Sequence, residues 1–129
     1  MIKNKNILIT GGNSGIGFFT IINLLKTKNN LYVVIKNELR KEEFLEKIKP
    51  TQTIFFSAKN KSQVYYEAPY QENCALIFGK ESQGLGDEFL EKHSEQTYHL
   101  PMDRTHIRSL NLASVVTTAS YEAFRHFQK

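Results

Sequence analysis

Leu76-Ile77-Phe78-Gly79-Lys80-Glu81-Ser82-Gln83-Gly84-Leu85 is the stretch on which the fold turns. Ala75 to Phe78 is an unbroken apolar run of strand length, which suits a strand covered on both faces. Gly79, Gly84 and Gly86 then punctuate a polar turn, and Asp87 to His93 follows as a short helix with an acidic start. Strand, glycine loop and helix in that order are a unit of parallel sheet. The ends of such strands leave main-chain amides and carbonyls facing a crevice.

Toward the N-terminus, Thr53 to Ser57 is another apolar strand, and the polar stretch from Lys59 to Asn73, with Pro69 inside it, has no sustained period and reads as loop. Glu38 to Lys49 places Leu39, Phe44, Leu45 and Ile48 among charges, an amphipathic helix that must end near Pro50. Leu31 to Ile35 and Asn6 to Thr10 are β-branched or apolar runs expected to be strands, with a helix between them carrying Ile16, Phe19, Thr20, Asn23 and Leu24. Toward the C-terminus, Tyr98-His99-Leu100 supplies a short strand before Pro101. From Leu110 to Phe127, Leu112, Val116, Ala119, Ala123 and Phe127 form an apolar helical stripe. Strands alternating with helices predict an α/β protein, a parallel sheet with flanking helices.

A chain of 129 residues should bury roughly two-thirds of the surface its unfolded form exposes, enough for one core and one domain over 1–129. Within it, residues 1–50 read as a Rossmann-like βαβα segment and 51–129 as a second segment. Seventeen Lys and Arg against thirteen Asp and Glu give +4, compatible with a polyanionic partner without requiring one. The lone Cys74 excludes an intramolecular disulfide and a cysteine-based zinc cluster, so no metal is expected. No apolar run approaches the ~18 residues that cross a bilayer, and the first residues show no apolar signal core. The expectation is a cytoplasmic protein without a membrane partner.

Thr10-Gly11-Gly12-Asn13-Ser14-Gly15-Ile16-Gly17 sits between the first strand and helix, where glycines let backbone approach a phosphate. It resembles the cofactor loop of short-chain dehydrogenases/reductases over residues 3 to 48, and Lys36 after the second strand points to NADP rather than NAD. Tyr65, Tyr66, Tyr70 and Tyr121 lack a lysine four residues on, that family's Asn-Asn-Ala-Gly segment is absent, and the chain is about half the length such an enzyme needs, so hydride transfer is not expected.

The second motif set is more specific. Phe78-Gly79-Lys80-Glu81-Ser82-Gln83-Gly84-Leu85, then Leu100-Pro101-Met102, then Ser109-Leu110-Asn111-Leu112-Ala113, resembles in order the SPOUT, or trefoil-knot, RNA 2′-O-methyltransferases. The resemblance runs from about residue 53 to 128 and is strongest to the small single-domain group that modifies the tRNA wobble ribose. It implies a C-terminal trefoil knot, S-adenosylmethionine as cofactor and tRNA or another RNA as substrate. Carried over by position, Phe56, Gly79, Leu100 and Ser109 would line the cofactor pocket, with Leu110 beside them. Gly84 would bend the loop, and Glu81 and Asn111 would tie the loops together. Each has a plainer alternative: Gly79 as a turn, Leu100 as core, Asn111 as a helix cap, Glu81 as a solvated charge.

The family's Asn-x-Gly-x-x-x-Arg segment is matched here at Asn13 and Gly15, but Phe19 stands at the arginine position and can neither donate a hydrogen bond nor offset phosphate charge. That departure counts against full activity. Arg104 or Arg108 becomes the replacement, with Asn111 completing the candidate catalytic group. Lys80 and His106 join the two arginines as candidate phosphate contacts. Tyr121, Phe124 and Phe127 put aromatic area on the last helix, the face through which knotted relatives pair, so a homodimer is expected. Two other readings stand beside the methyltransferase. One is a non-catalytic nucleotide-binding module. The other is an inactive chimera in which a dehydrogenase-like NAD(P)-binding piece replaced the first third.

Overall fold

The computed structural model describes residues 6–10, 23, 30–34, 45–46, 49–50, 52–59, 62–71, 74–79 and 84–128. Six strands form one sheet: β1 (Asn6–Thr10), β2 (Asn30–Val34), β3 (Gln52–Phe56), β4 (Gln63–Val64), β5 (Cys74–Phe78) and β6 (Thr97–His99). Their spatial order is β1-β2-β5-β3-β6-β4, and every pairing between them is parallel. Two helices, α1 (Asp87–Lys92) and α2 (Leu112–Phe127), follow β5 and β6.

The all-apolar sequence of β5 has its explanation in that order: β5 lies between β2 and β3, and its five residues are all buried. Ile54, Phe56, Leu76, Phe78 and Tyr98 meet Val116, Ala119 and Ala123 of α2 in one core. The registers Ile54 to Leu76, Phe56 to Phe78 and Phe56 to Tyr98 set those residues on a shared face. Ala119 and Ala123 have no exposed surface, and such small side chains let the helix lie close to the strands. On the opposite face Phe55 meets the Phe89 ring edge-on at 5.0 Å, with His93 at the same distance. That contact seats α1.

Strand boundaries fall within a residue of those expected, with one addition. The stretch taken as loop contains the two-residue β4 and a 3-10 turn at Tyr65–Glu67, with Val64 registered on His99. A pair of residues is too short to produce a period, so tertiary pairing alone defines it. The helix expected to stop near Pro50 does so: Leu45 and Glu46 are helical, the Lys49 amide donates to the Leu45 carbonyl at 3.0 Å, and Lys49 turns to φ +43. The first glycine loop, Phe19 and Lys36 lie outside the described residues.

The 65–71 segment is fastened to the end of α2. Tyr70 donates its hydroxyl to the Tyr65 carbonyl at 2.8 Å, and its ring lies 5.2 Å from that of His126. Burial, with Glu122 adding to it, pushes the Tyr70 hydroxyl far above the usual phenol range. Glu122 accepts from Arg125 at 2.6 and 3.1 Å and contacts His126 at 3.2 Å. Its carboxyl is held below the ordinary range chiefly by the Arg125 hydrogen bond, against an upward push from burial. A folded-state value below the unfolded one (about 4.3) means the stabilisation is whole above that pH and is lost as pH falls through the folded value. Glu122→Gln should therefore be less stable than the parent at pH 7, with the gap closing under acid conditions, as measured by urea unfolding across pH.

Candidate functional site

The C-terminal ends of β3, β5 and β6 open into a cavity of roughly 470 Å³. β3 contributes Phe56 and the following Ser57, Ala58 and Lys59. β5 contributes Phe78 and Gly79, with Gly84 from the loop beyond. β6 contributes His99 and the following Leu100, Met102 and Arg104, and the approach to α2 contributes Arg108, Ser109, Leu110, Leu112 and Val115. Parallel strands running the same way deliver all three loops to one end, which explains why residues distant in sequence converge here.

Its interior is apolar and its rim cationic. Phe56 and Phe78 stack with ring centroids 4.8 Å apart and 16° between planes. Gly79 lies so close to the next loop that a Cβ built on it would fall onto the Gly84 carbonyl carbon, 2.5 Å from Gly84 Cα. Only glycine fits. Gly84 and Gly86 take φ +66 and +81, the left-handed values that let the loop double back before α1, as the sequence suggested.

The lining residues that carry charge are Lys59, Arg104 and Arg108, with His99 the remaining titratable group. Lys59 forms an ion pair with Asp87 at the start of α1, and the Arg104 guanidinium donates to the Ala58 carbonyl. Among the described residues, the Arg108 guanidinium has no hydrogen-bond or ion-pair partner. A volume of this size suits a nucleoside-sized ligand, and the cations suit a carboxylate or phosphate at its edge.

Of the residues singled out from sequence, Phe56, Gly79, Gly84, Leu100, Ser109 and Leu110 line this one cavity, joined by Arg104 and Arg108. Glu81 and Lys80 lie outside the described residues. Asn111 occupies the helix-cap position weighed for it: it is the N-cap of α2, its Oδ1 accepting from the Ser114 amide at 3.3 Å, because the chain enters the helix there and a free amide needs an acceptor. Asn111→Ala should cost about 1 kcal/mol of stability in urea unfolding while leaving the cavity lining in place. His106 pairs with Asp103 at 2.8 Å in an exposed turn. Its place is on the surface.

Sequence reasoning gives no site role to Ser57, Ala58, Lys59, Phe78, His99, Met102, Leu112 or Val115, although Phe78, Met102 and Leu112 stand inside the quoted motifs. Ser57 and His99 adjoin Phe56 and Leu100, so the rule that loops after parallel strands share one end would have found them. Among the described residues no group of three or more His, Cys, Asp and Glu side chains is placed to hold a metal, and no helix is long and apolar enough to cross a membrane.

The chain is an α/β protein whose parallel sheet carries a glycine-edged cavity at its strand ends, the end of such sheets where ligands commonly bind. Residues 23–121 match the SpoU rRNA Methylase family, and the chain belongs to that family. It is 35% identical over 85 residues to the tRNA (cytidine(34)-2′-O)-methyltransferase of Aeromonas hydrophila, covering 65% of this chain and 53% of that one. The chain spans about half the length of the curated relatives it matches.

Among solved structures, it resembles one described as "Structural insights into the 2-OH methylation of C/U34 on tRNA", with TM-score 0.64, 24% identity and coverage of 100% and 94%. It also resembles the SpoU methyltransferase AviRb from Streptomyces viridochromogenes in complex with AdoMet, with TM-score 0.60, 15% identity and coverage of 98% and 58%. Both likenesses speak to the fold. The family match begins at residue 23, inside the segment that resembles the dehydrogenases, and runs on across the division between 1–50 and 51–129. It gives no support to the chimera.

Proposed function

We propose that this chain carries the cofactor site of an S-adenosylmethionine-dependent RNA methyltransferase acting on a tRNA ribose 2′-hydroxyl in the cytoplasm. The observation that carries the reading is the convergence of Phe56, Gly79, Gly84, Leu100, Ser109 and Leu110 on one cavity in a chain of the SpoU family. The residues present fit the cofactor. Stacked Phe56 and Phe78 offer an apolar floor, the glycine edge leaves main chain accessible to a purine, and the rim cations suit the carboxylate of an amino-acid moiety.

When bound, S-adenosylmethionine supplies an electrophilic methyl group. The chain's own task is then to orient the nucleotide and neutralise its phosphate. Of the two arginines named from sequence, Arg108 is the better stand-in for the arginine replaced by Phe19, because Arg104 is engaged by the Ala58 carbonyl. Arg108→Ala should lower kcat about tenfold, the scale of a lost charged hydrogen bond, in single-turnover transfer of labelled methyl to tRNA.

The reading extends to a last helix threaded through the loop after β5 as a trefoil knot, and to a homodimer through α2. Tyr121 and Phe124 support the second part, being 71% and 41% exposed. Phe127 instead packs against the core. Light scattering at micromolar concentration should give twice the chain mass.

The deciding experiment is calorimetry with S-adenosylmethionine and with NADP. Binding of the first alone upholds the reading. Binding of NADP alone favours the nucleotide module, and binding of neither overturns both.

A further inference from the structure

Ser57, Ala58 and Lys59, the three residues after β3 that line the cavity, are linked by hydrogen bonds to Ser62, and Ser57 and Ser62 each contact β6. At one end the Ser57 amide donates to the Tyr98 carbonyl at 3.0 Å, an ordinary main-chain bond. At the other end His99 Nδ1 lies 2.9 Å from the Ser62 carbonyl and 3.1 Å from the Ser62 hydroxyl. A carbonyl can only accept, so Nδ1 carries the proton. The Ser62 hydroxyl donates in turn to the Lys59 carbonyl at 3.0 Å, and the Lys59 amide donates to the Ser57 hydroxyl at 3.2 Å.

Imidazole, serine and lysine backbone thus form a relay running from His99 to the residues on the cavity wall. Nothing in the sequence pattern or in the family match singles out His99, and its neighbour Leu100 is the residue the motif names.

We propose that His99 is a positioning residue for the cavity, acting through its Nδ1–H on Ser62 to fix the Ser57–Lys59 rim against which the ligand closes. The proposal deepens the cofactor reading above and rests on it for the identity of the ligand. The tether, unlike the ligand, is a property of the free protein and is measurable without one.

Two substitutions separate the ring nitrogens. An asparagine amide reaches about as far as Nδ1, whereas a glutamine amide reaches about as far as Nε2. His99→Asn should therefore keep the tether and His99→Gln should lose it. In the ligand-free protein, 15N shifts should report a proton on His99 Nδ1. Hydrogen exchange at the Lys59 and Ser57 amides should stay near parent in His99→Asn and accelerate about three- to tenfold in His99→Gln, the range of one net hydrogen bond.

Calorimetry with S-adenosylhomocysteine should show the same pattern, with affinity near parent for Asn and about three- to tenfold weaker for Gln. Thermal melting of each variant guards against a folding defect. A proton on Nε2, or indistinguishable exchange in the two variants, overturns the proposal. Retained affinity in Gln with loss in Asn also overturns it, since that pattern assigns the work to Nε2. If the exchange pattern holds and the parent binds no S-adenosylhomocysteine, the tether stands and the cofactor reading falls.

Discussion

Ser109→Arg is expected to reduce affinity for S-adenosylmethionine by at least about a hundredfold and to silence methyl transfer to tRNA. Ser109 lines the cavity just before α2 and is itself exposed, so the change meets no packed neighbour in the ligand-free protein. The new side chain brings a long cation to a rim already holding Lys59, Arg104 and Arg108, facing a sulfonium ligand that is itself positive at its reacting end. Two decades in affinity correspond to about 3 kcal/mol, a reasonable sum for lost volume and like-charge repulsion. Melting should move little, because exposed substitutions usually stay within about 0.5 kcal/mol. Calorimetry and melting of the same sample check both halves. Undiminished affinity would move the cofactor out of this cavity.

Gly79→Ala should be strongly damaging, costing about 3 kcal/mol and lowering the melting temperature by roughly 10 °C. The added methyl would overlap the Gly84 backbone, which cannot swing aside as the end of a flexible side chain would. Gly84→Ala is the control that isolates the cause. A Cβ there meets nothing within 4 Å, but the residue sits at φ +66, so its cost is the left-handed penalty of about 1–2 kcal/mol. The ranking Gly79 worse than Gly84 distinguishes a steric cause from a conformational one, and thermal unfolding of the pair reads it directly.

Much of this architecture was legible because the strongest signals are local. Thr53–Ser57 and Ala75–Phe78 announce buried strands by composition, and the Val116, Ala119, Ala123 spacing marks the face of α2 that meets them. Two glycines with positive φ followed from the need to turn between strand and helix. What sequence could not show was produced by distance. β4 exists because His99 lies beside Val64, and the insertion of β5 between β2 and β3 is not written in either neighbour.

The candidate site divides in the same way. Motif residues on strand ends were found, while the Ser57–Lys59 wall and His99 escaped because their importance comes from whom they touch rather than from residue type. Asn111 is the reverse case: a motif residue whose observed contact is a local one, at the start of its own helix.

The place of β5 has a consequence for synthesis. The strand that closes the middle of the sheet is separated in the chain from β2 by β3 and β4, so β2 and β3 leave the ribosome before the partner that joins them exists. Until Cys74–Phe78 emerges, their inner edges are open templates for the wrong neighbour. Nascent chains halted before residue 74 should accordingly bind holdase chaperones and aggregate more than chains halted after residue 78.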